Sequence, residues 1–173
     1  MSGSSRDVCS EAYVLDAAGL FASLPLTLPG NSYTTPLVAA EVIDSESKKS
    51  LEYALVSNKL VIMDPPKESI EKVREVARRI GELGNLSEAD ISILALAHTL
   101  LSRYRRVIVV TDDKSVQNVA LYLGAEIYGI KRKTIRRPKL FSYVCPACGY
   151  ESAEAGTCPV CGHKLRKRKR SRS

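Results

Sequence analysis

Apolar positions in this chain fall into short blocks separated by polar stretches, and the spacing inside each block predicts its structure. Ala12-Tyr13-Val14-Leu15 and Leu60-Val61-Ile62-Met63 are four-residue apolar runs, and Val107-Ile108-Val109-Val110 is wholly β-branched. Short runs of this kind, bounded by turn residues, read as strands buried on both faces. Ala125 to Ile130 is a weaker fourth. Between these runs the period lengthens. Residues 67–83 put Ile70, Val73, Ala77 and Ile80 on one face and Glu71, Arg74, Glu75, Arg78 and Arg79 on the other, which predicts an amphipathic helix. Ile91 to Leu101 is apolar nearly all round and predicts a buried helix, opened by the capping-box-like Ser87-Glu88-Ala89-Asp90. A further helix over 113–123 stops at Gly124. Leu24 to Thr35, rich in proline, glycine and asparagine, reads as a loop. Thr35-Pro36 then starts a helix that carries Glu41 and Asp44 on one face. Ser50 caps a short helix over Leu51–Ser57, closed by Asn58. Four strands alternating with helices predict an α/β fold, a parallel sheet with helices on both faces.

In an open parallel sheet, ligands bind beyond the carboxyl ends of the strands. Asp16 ends the first run and Asp112 the third, each just before a helix. Glu41 lies in the most apolar part of its segment, where an unpaired carboxylate is costly. Asp90 occupies the first turn of the buried helix, near its positive end. Each has an ordinary reading: Asp16 and Asp90 as caps, Glu41 at an amphipathic boundary. The repeated strand–acid–helix order favours cation ligands instead. Oxygen donors suit Mg²⁺ or Mn²⁺, and such a site can activate water and stabilise an attacked phosphate. Asp64, fixed between a strand and two prolines, reads as structural, and His98 as a hydrogen-bonded core histidine. The chain has no P-loop, G-x-G-x-x-G, G-x-S-x-G or H-E-x-x-H motif.

Charge divides the chain sharply. Residues 1–130 hold 13 Lys+Arg against 17 Asp+Glu, a net −4, whereas residues 131–173 hold 13 against 2, a net +11. A basic segment of that density gathers along a polyanion, while the acidic body does not. The candidate nucleic-acid contacts are Lys131, Arg132, Lys133, Arg136, Arg137 and Lys139 in a linker, and Lys164, Arg166, Lys167 and Arg168 near the end, where the chain is expected to lack structure until RNA is present. Between these groups stand Cys145-Pro-Ala-Cys148 and Cys158-Pro-Val-Cys161-Gly162. Two C-x2-C pairs of this spacing set four thiolates around one zinc ion, and cysteines three apart rarely form disulfides. His163 is surplus to a complete ligand set, and Cys9 stands alone as a core or surface residue. No run of about 18 apolar residues occurs, so no membrane span is expected. The N-terminus lacks a signal-peptide layout, and the cytoplasm is the expected compartment. The expected organisation is an α/β domain at 8–130, a basic linker at 131–139, a zinc ribbon at 140–165 and a basic tail at 166–173.

Val14-Leu15-Asp16, Glu41, Leu86-Ser87-Glu88-Ala89-Asp90 and Val110-Thr111-Asp112-Asp113…Gln117-Asn118-Val119 together resemble a PIN domain. With the cysteine ribbon that follows, they resemble the archaeal type of the Nob endonucleases, over about residues 8–165. The resemblance implies a PIN-like parallel sheet flanked by helices plus a small zinc ribbon. It also implies Asp16, Glu41, Asp90 and Asp112 as metal-binding catalytic acids, supported by Thr111 and Asp113. The implied activity is metal-dependent cleavage of precursor small-subunit ribosomal RNA at its mature 3′ end, with Mn²⁺ or Mg²⁺ at the acids, structural zinc, and the small ribosomal subunit as partner. Two other readings stay open: a non-catalytic RNA-binding assembly factor whose carboxylates are caps, and a toxin-type PIN ribonuclease, which the fused ribbon disfavours.

Overall fold

The computed structural model describes residues 11–170. Cys9 and residues 171–173 of the expected tail lie outside them. The body is built on five parallel strands: β1 (Glu11–Leu15), β2 (Asn31–Thr34), β3 (Leu60–Ile62), β4 (Arg106–Val110) and β5 (Glu126–Tyr128), in the order β3-β2-β1-β4-β5. The two most apolar runs of the sequence take the central places. β1 and β4 pair from Glu11–Arg106 to Leu15–Val110, so Asp16 and Thr111 leave the sheet side by side. Among the described residues six α-helices accompany the strands: α1 (Ala17–Phe21), α2 (Pro36–Ala40), α3 (Ser45–Val56), α4 (Lys67–Arg79), α5 (Glu88–Leu100) and α6 (Lys114–Leu123). α5 packs on β1 and β4 and is flanked by α4 and α6, while α1 and α3 pack together and touch β1 and β3. Its Ile93, Leu94, Ala95, Leu96 and Ala97 are almost wholly buried, as an all-round apolar helix requires.

In the body, the structure departs from the sequence reading in three places. β2 lies inside the segment expected to be a loop. Its Ser32 and Thr34 are polar yet fully buried, and the Thr34 hydroxyl donates to the Leu15 carbonyl at 2.9 Å, so a strand beside β1 carried no apolar signature. The helix expected to hold both Glu41 and Asp44 is two helices. α2 ends at Ala40 with Glu41 at its C-cap, and Asp44 caps α3 by accepting the Ser47 amide at 2.8 Å. That local bond is available only with a fresh helix start, and it sets the two acids on different elements. Ser50 is accordingly inside α3, bonded to Ser23 rather than acting as a cap. The amphipathic helix expected to reach residue 83 stops at Arg79, and Gly81 follows with φ +75°.

The ribbon begins against that glycine. β6 (Phe141–Val144) pairs antiparallel with β7 (Glu151–Ser152) and with β8 (Arg166–Lys169). Residues 166–169 were expected in an unstructured tail; they form the ribbon's third strand, so the ribbon runs past residue 165. Their all-basic composition hid a strand whose apolar partners, Phe141 and Tyr143, lie on β6. The Phe141 amide donates to the Ile80 carbonyl at 2.9 Å, and a Cβ on Gly81 would meet the Phe141 carbonyl oxygen at 2.5 Å.

Candidate active site

The register of β1 and β4 builds the site. Asp16 is the first residue past β1 and stands at the N-cap of α1 without capping it. Its Oδ2 accepts the hydroxyl of the fully buried Thr111 at 2.6 Å. Burial pushes its carboxyl above the usual range, against the pull of the Thr111 hydroxyl and the Ala18 amide, and the charge of Asp90 adds to the push. Asp16 and Asp90, 74 residues apart in sequence, therefore share one electrostatic environment. Asp90 opens α5 in a reciprocal capping box: its Oδ2 accepts the Ser87 amide and hydroxyl, both at 2.8 Å, and its own amide donates to Ser87 Oγ.

The two aspartates after β4 are held differently. Asp113 caps α6, with Oδ1 accepting the amides of Ser115 (2.7 Å) and Val116 (3.0 Å), while its own amide donates to Thr111 Oγ1. Thr111 thereby ties Asp113 to Asp16. Asp112 turns the other way. Its Oδ1 accepts the backbone amides of Ile130, Lys131 and Arg132, and its Oδ2 also accepts that of Lys131. Partial burial pushes this carboxyl up, but the amides of Lys131, Arg132 and Ile130 outweigh it and hold the group below the ordinary range. Asp16, Asp112, Asp113, Lys131 and Arg132 line one open pocket of about 560 Å³ at the carboxyl ends of β1 and β4.

Glu41 is exposed at the C-cap of α2. The buried Thr35–Ser92 hydroxyl bond (2.7 Å) ties the start of its helix to α5, but no contact joins its carboxylate to Asp16 or Asp90 among the described residues. Among those residues, no three of the acids bring their oxygens within 4.8 Å of one another; the cysteines alone form such a group. Asp16, Asp112 and Asp113 thus share one rim, Asp90 is near enough for its charge to act on Asp16, and Glu41 is not brought to them. Asp64 is exposed at the strand end, and the His98 ring bonds Ser69 Oγ at 3.2 Å.

In the ribbon, Cys145, Cys148, Cys158 and Cys161 bring all four sulfurs within 4.8 Å, with Sγ–Sγ distances of 3.3 Å for Cys145–Cys161 and 3.5 Å for Cys148–Cys158. A tetrahedral zinc with bonds of about 2.3 Å spaces its sulfurs about 3.8 Å apart, so the set fits that ion with small adjustment. The Cys148 amide leads in pulling the Cys145 thiol down to about 6, whereas Cys161, despite the His163 amide, is pushed up to about 12 by Cys145 and burial. Four thiolates cannot all ionise together without a cation among them.

Sequence reasoning gave no role to Glu82, which is 2% exposed. It accepts from Asn85, from Asn118 Nδ2 (2.9 Å) and from Lys167 Nζ (2.7 Å), joining α6 to the ribbon. Lys167, expected at the nucleic-acid surface, is engaged by this bond and lies over the Phe141 ring. Arg168 pairs with Glu151. Lys169 and Arg170, not singled out from the sequence, line a groove of about 990 Å³ with Arg136, Arg137 and Lys139.

A family profile described as "PIN domain of ribonuclease" matches residues 13–100. The chain is 38% identical to Endoribonuclease Nob1 of Pyrococcus abyssi, over 88% of this chain and 91% of that one. It is 37% identical to Endoribonuclease Nob1 of Archaeoglobus fulgidus, over 89% of each. It is 41% identical to the 20S-pre-rRNA D-site endonuclease nob1 of Schizosaccharomyces pombe, over 50% of this chain and 22% of that longer one.

Proposed function

The chain belongs to the Nob1 family of PIN-domain endoribonucleases, and from that premise we propose that it hydrolyses precursor small-subunit ribosomal RNA at its mature 3′ end during ribosome assembly. The observation that carries this reading is Asp16. It sits at the carboxyl end of a central strand, braced by Thr111, with Asp90 near enough to oppose its ionisation. A divalent cation relieves that opposition. Asp16 and Asp90 would hold the cation, Glu41 would swing in from the C-cap of α2 to join them, and Asp113, tied to Asp16 through Thr111, would supply the acid from β4. Hard oxygen donors favour Mn²⁺ or Mg²⁺. When bound, the cation supplies Lewis acidity to the phosphate and acidifies the attacking water. In the hydrolysis the water oxygen would bond to phosphorus as one P–O ester bond breaks, with a proton lost by the water and one gained by the leaving oxygen.

The acidic body repels RNA, so the basic linker and the ribbon, with zinc on its four cysteines, bring the precursor RNA of the small subunit to the pocket. The test is an RNA spanning the mature 3′ end, incubated with purified protein and Mn²⁺. Cleavage at one position is expected, with Asp16→Asn slowing it by at least ~100-fold while RNA affinity is kept. A protein that binds this RNA without metal-dependent cleavage would instead be a non-catalytic assembly factor.

A further inference from the structure

Residues 131–139 have the composition of a flexible tether, yet the structure fastens them along their length. The bonds come from one helix and its approach. Asp112 takes the amides of residues 130, 131 and 132. Lys114 Nζ donates to the Lys133 carbonyl, and the Ile135 amide donates to Gln117 Oε1 at 3.1 Å. The Lys139 amide donates to Asn118 Oδ1 at 2.6 Å, and Asn118 Nδ2 donates to the Lys139 carbonyl at 2.9 Å. Gln117 and Asn118 are buried, and Gln117 Nε2 is itself fixed on the Thr111 carbonyl at 2.9 Å. The segment doubles back at Gly129, where a Cβ would meet the Arg132 carbonyl oxygen at 2.5 Å. These are features of a built turn.

Three consecutive amides converging on one carboxylate form a strong, oriented anion nest. The backbone of Lys131 and Arg132 is committed to Asp112, so their side chains are left to face outward. Both are exposed and line the same pocket as Asp16. No ion pair engages Lys131, Arg132 or Lys133 among the described residues. Two cations in no ion pair among the described residues, held by their backbone beside a carboxylate notch with the charge of Arg132 also acting on Asp112, suit an anion that bridges past that notch, as the ribose–phosphate backbone does.

We propose that Asp112 is the anchor of a basic strap: it holds residues 130–132 on the rim of the carboxylate pocket, where Lys131 and Arg132 grip the RNA phosphate next to the one that is cut. Asp112 is then a positioning residue, and the proposal rests on the nuclease reading for its phosphate while the anchoring itself does not. Removing the anchor frees the strap and weakens capture of RNA more than turnover.

The experiment compares Asp112→Ala, Asp112→Asn and the double variant Lys131→Ala/Arg132→Ala in the full chain with zinc bound. Backbone hydrogen exchange reads the anchor, and steady-state cleavage of the Mn²⁺-dependent substrate reads the grip. For Asp112→Ala, exchange at residues 130–132 should rise by at least ~10-fold and KM by about 10-fold, with kcat falling no more than ~3-fold. Asp112→Asn keeps an oxygen acceptor and should recover most of the protection and of KM. The double variant should match the KM of Asp112→Ala with its amides still protected, and should lower the salt dependence of RNA binding by about one to two counterions. If Asp112→Asn abolishes cleavage as Asp16→Asn does while residues 130–132 stay protected, Asp112 is a metal ligand and the proposal is overturned. Unchanged exchange in Asp112→Ala overturns it as well. Should the wild-type chain not cleave at all, the nuclease reading fails alone; hydrogen exchange and RNA affinity still decide the anchor and the grip.

Discussion

Thr111 does more for the site than its size suggests. Its hydroxyl donates to Asp16 and accepts from the Asp113 amide, and its carbonyl holds Gln117, so one buried side chain and its backbone link both carboxylates to α6. The Thr111 bond pulls the Asp16 carboxyl down against burial. Thr111→Val removes that pull, so the acid limb of the pH–rate profile should move to higher pH, while Thr111→Ser should leave it in place. Stability shifts with the same sign. A carboxyl whose folded pKa is raised contributes fully at pH below its ordinary value and loses that contribution as pH rises through the folded value. Metal-free Thr111→Val should therefore melt below wild type at neutral pH, by about 1 to 2 kcal/mol, with a smaller deficit near pH 4. Melts in chelator across that range check it. Asp16 was legible because an acid between a strand and a helix is a visible pattern. Glu82 was not: a glutamate just after an exposed, charged helix looks like solvated surface, and only the folded chain brings Asn118 and Lys167 onto it.

At the level of elements, β1, β4, α4 and α5 were legible from their own periodicity because each buries its apolar residues by itself. β2 was not, because its fully buried Ser32 and Thr34 carry hydroxyls, and neither polar side chains nor the Thr34 bond to the Leu15 carbonyl register in a hydropathy pattern. The break between α2 and α3 is likewise a capping event, decided by Asp44 and Ser47 rather than by apolar spacing. The turn after α4 is the joint on which the ribbon rests. Gly81 has φ +75°, which any side chain disfavours, and a Cβ there would press on backbone, which cannot yield as a flexible side chain does. Gly81→Ala should destabilise the protein by roughly 2 kcal/mol or more, and should loosen the Phe141–Ile80 bond before the central sheet. Urea unfolding and amide exchange at Phe141 measure the two effects.

Across the whole molecule, the division into acidic body and basic C-terminal part was legible, but the fixed geometry between them was not. That geometry depends on single side chains: Arg78 with Glu154, Tyr143 with the Gly81 carbonyl, and Lys167 with Glu82. The last of these is the most consequential, since the Glu82 carboxylate is enclosed while Lys167 keeps part of its surface in water. Lys167→Met should cost about 2 kcal/mol, chiefly by leaving a buried anion without its cation, and Glu82→Gln added to it should restore most of the loss. A double-mutant cycle by thermal melting tests this coupling. The pairing also sets an order of events during synthesis. Lys167 lies 85 residues after Glu82, so a growing chain exposes its enclosed anion long before the lysine that neutralises it has been made. The carboxylate half therefore gains the cation for its enclosed glutamate only once the last strand of the cysteine half has been made and has docked.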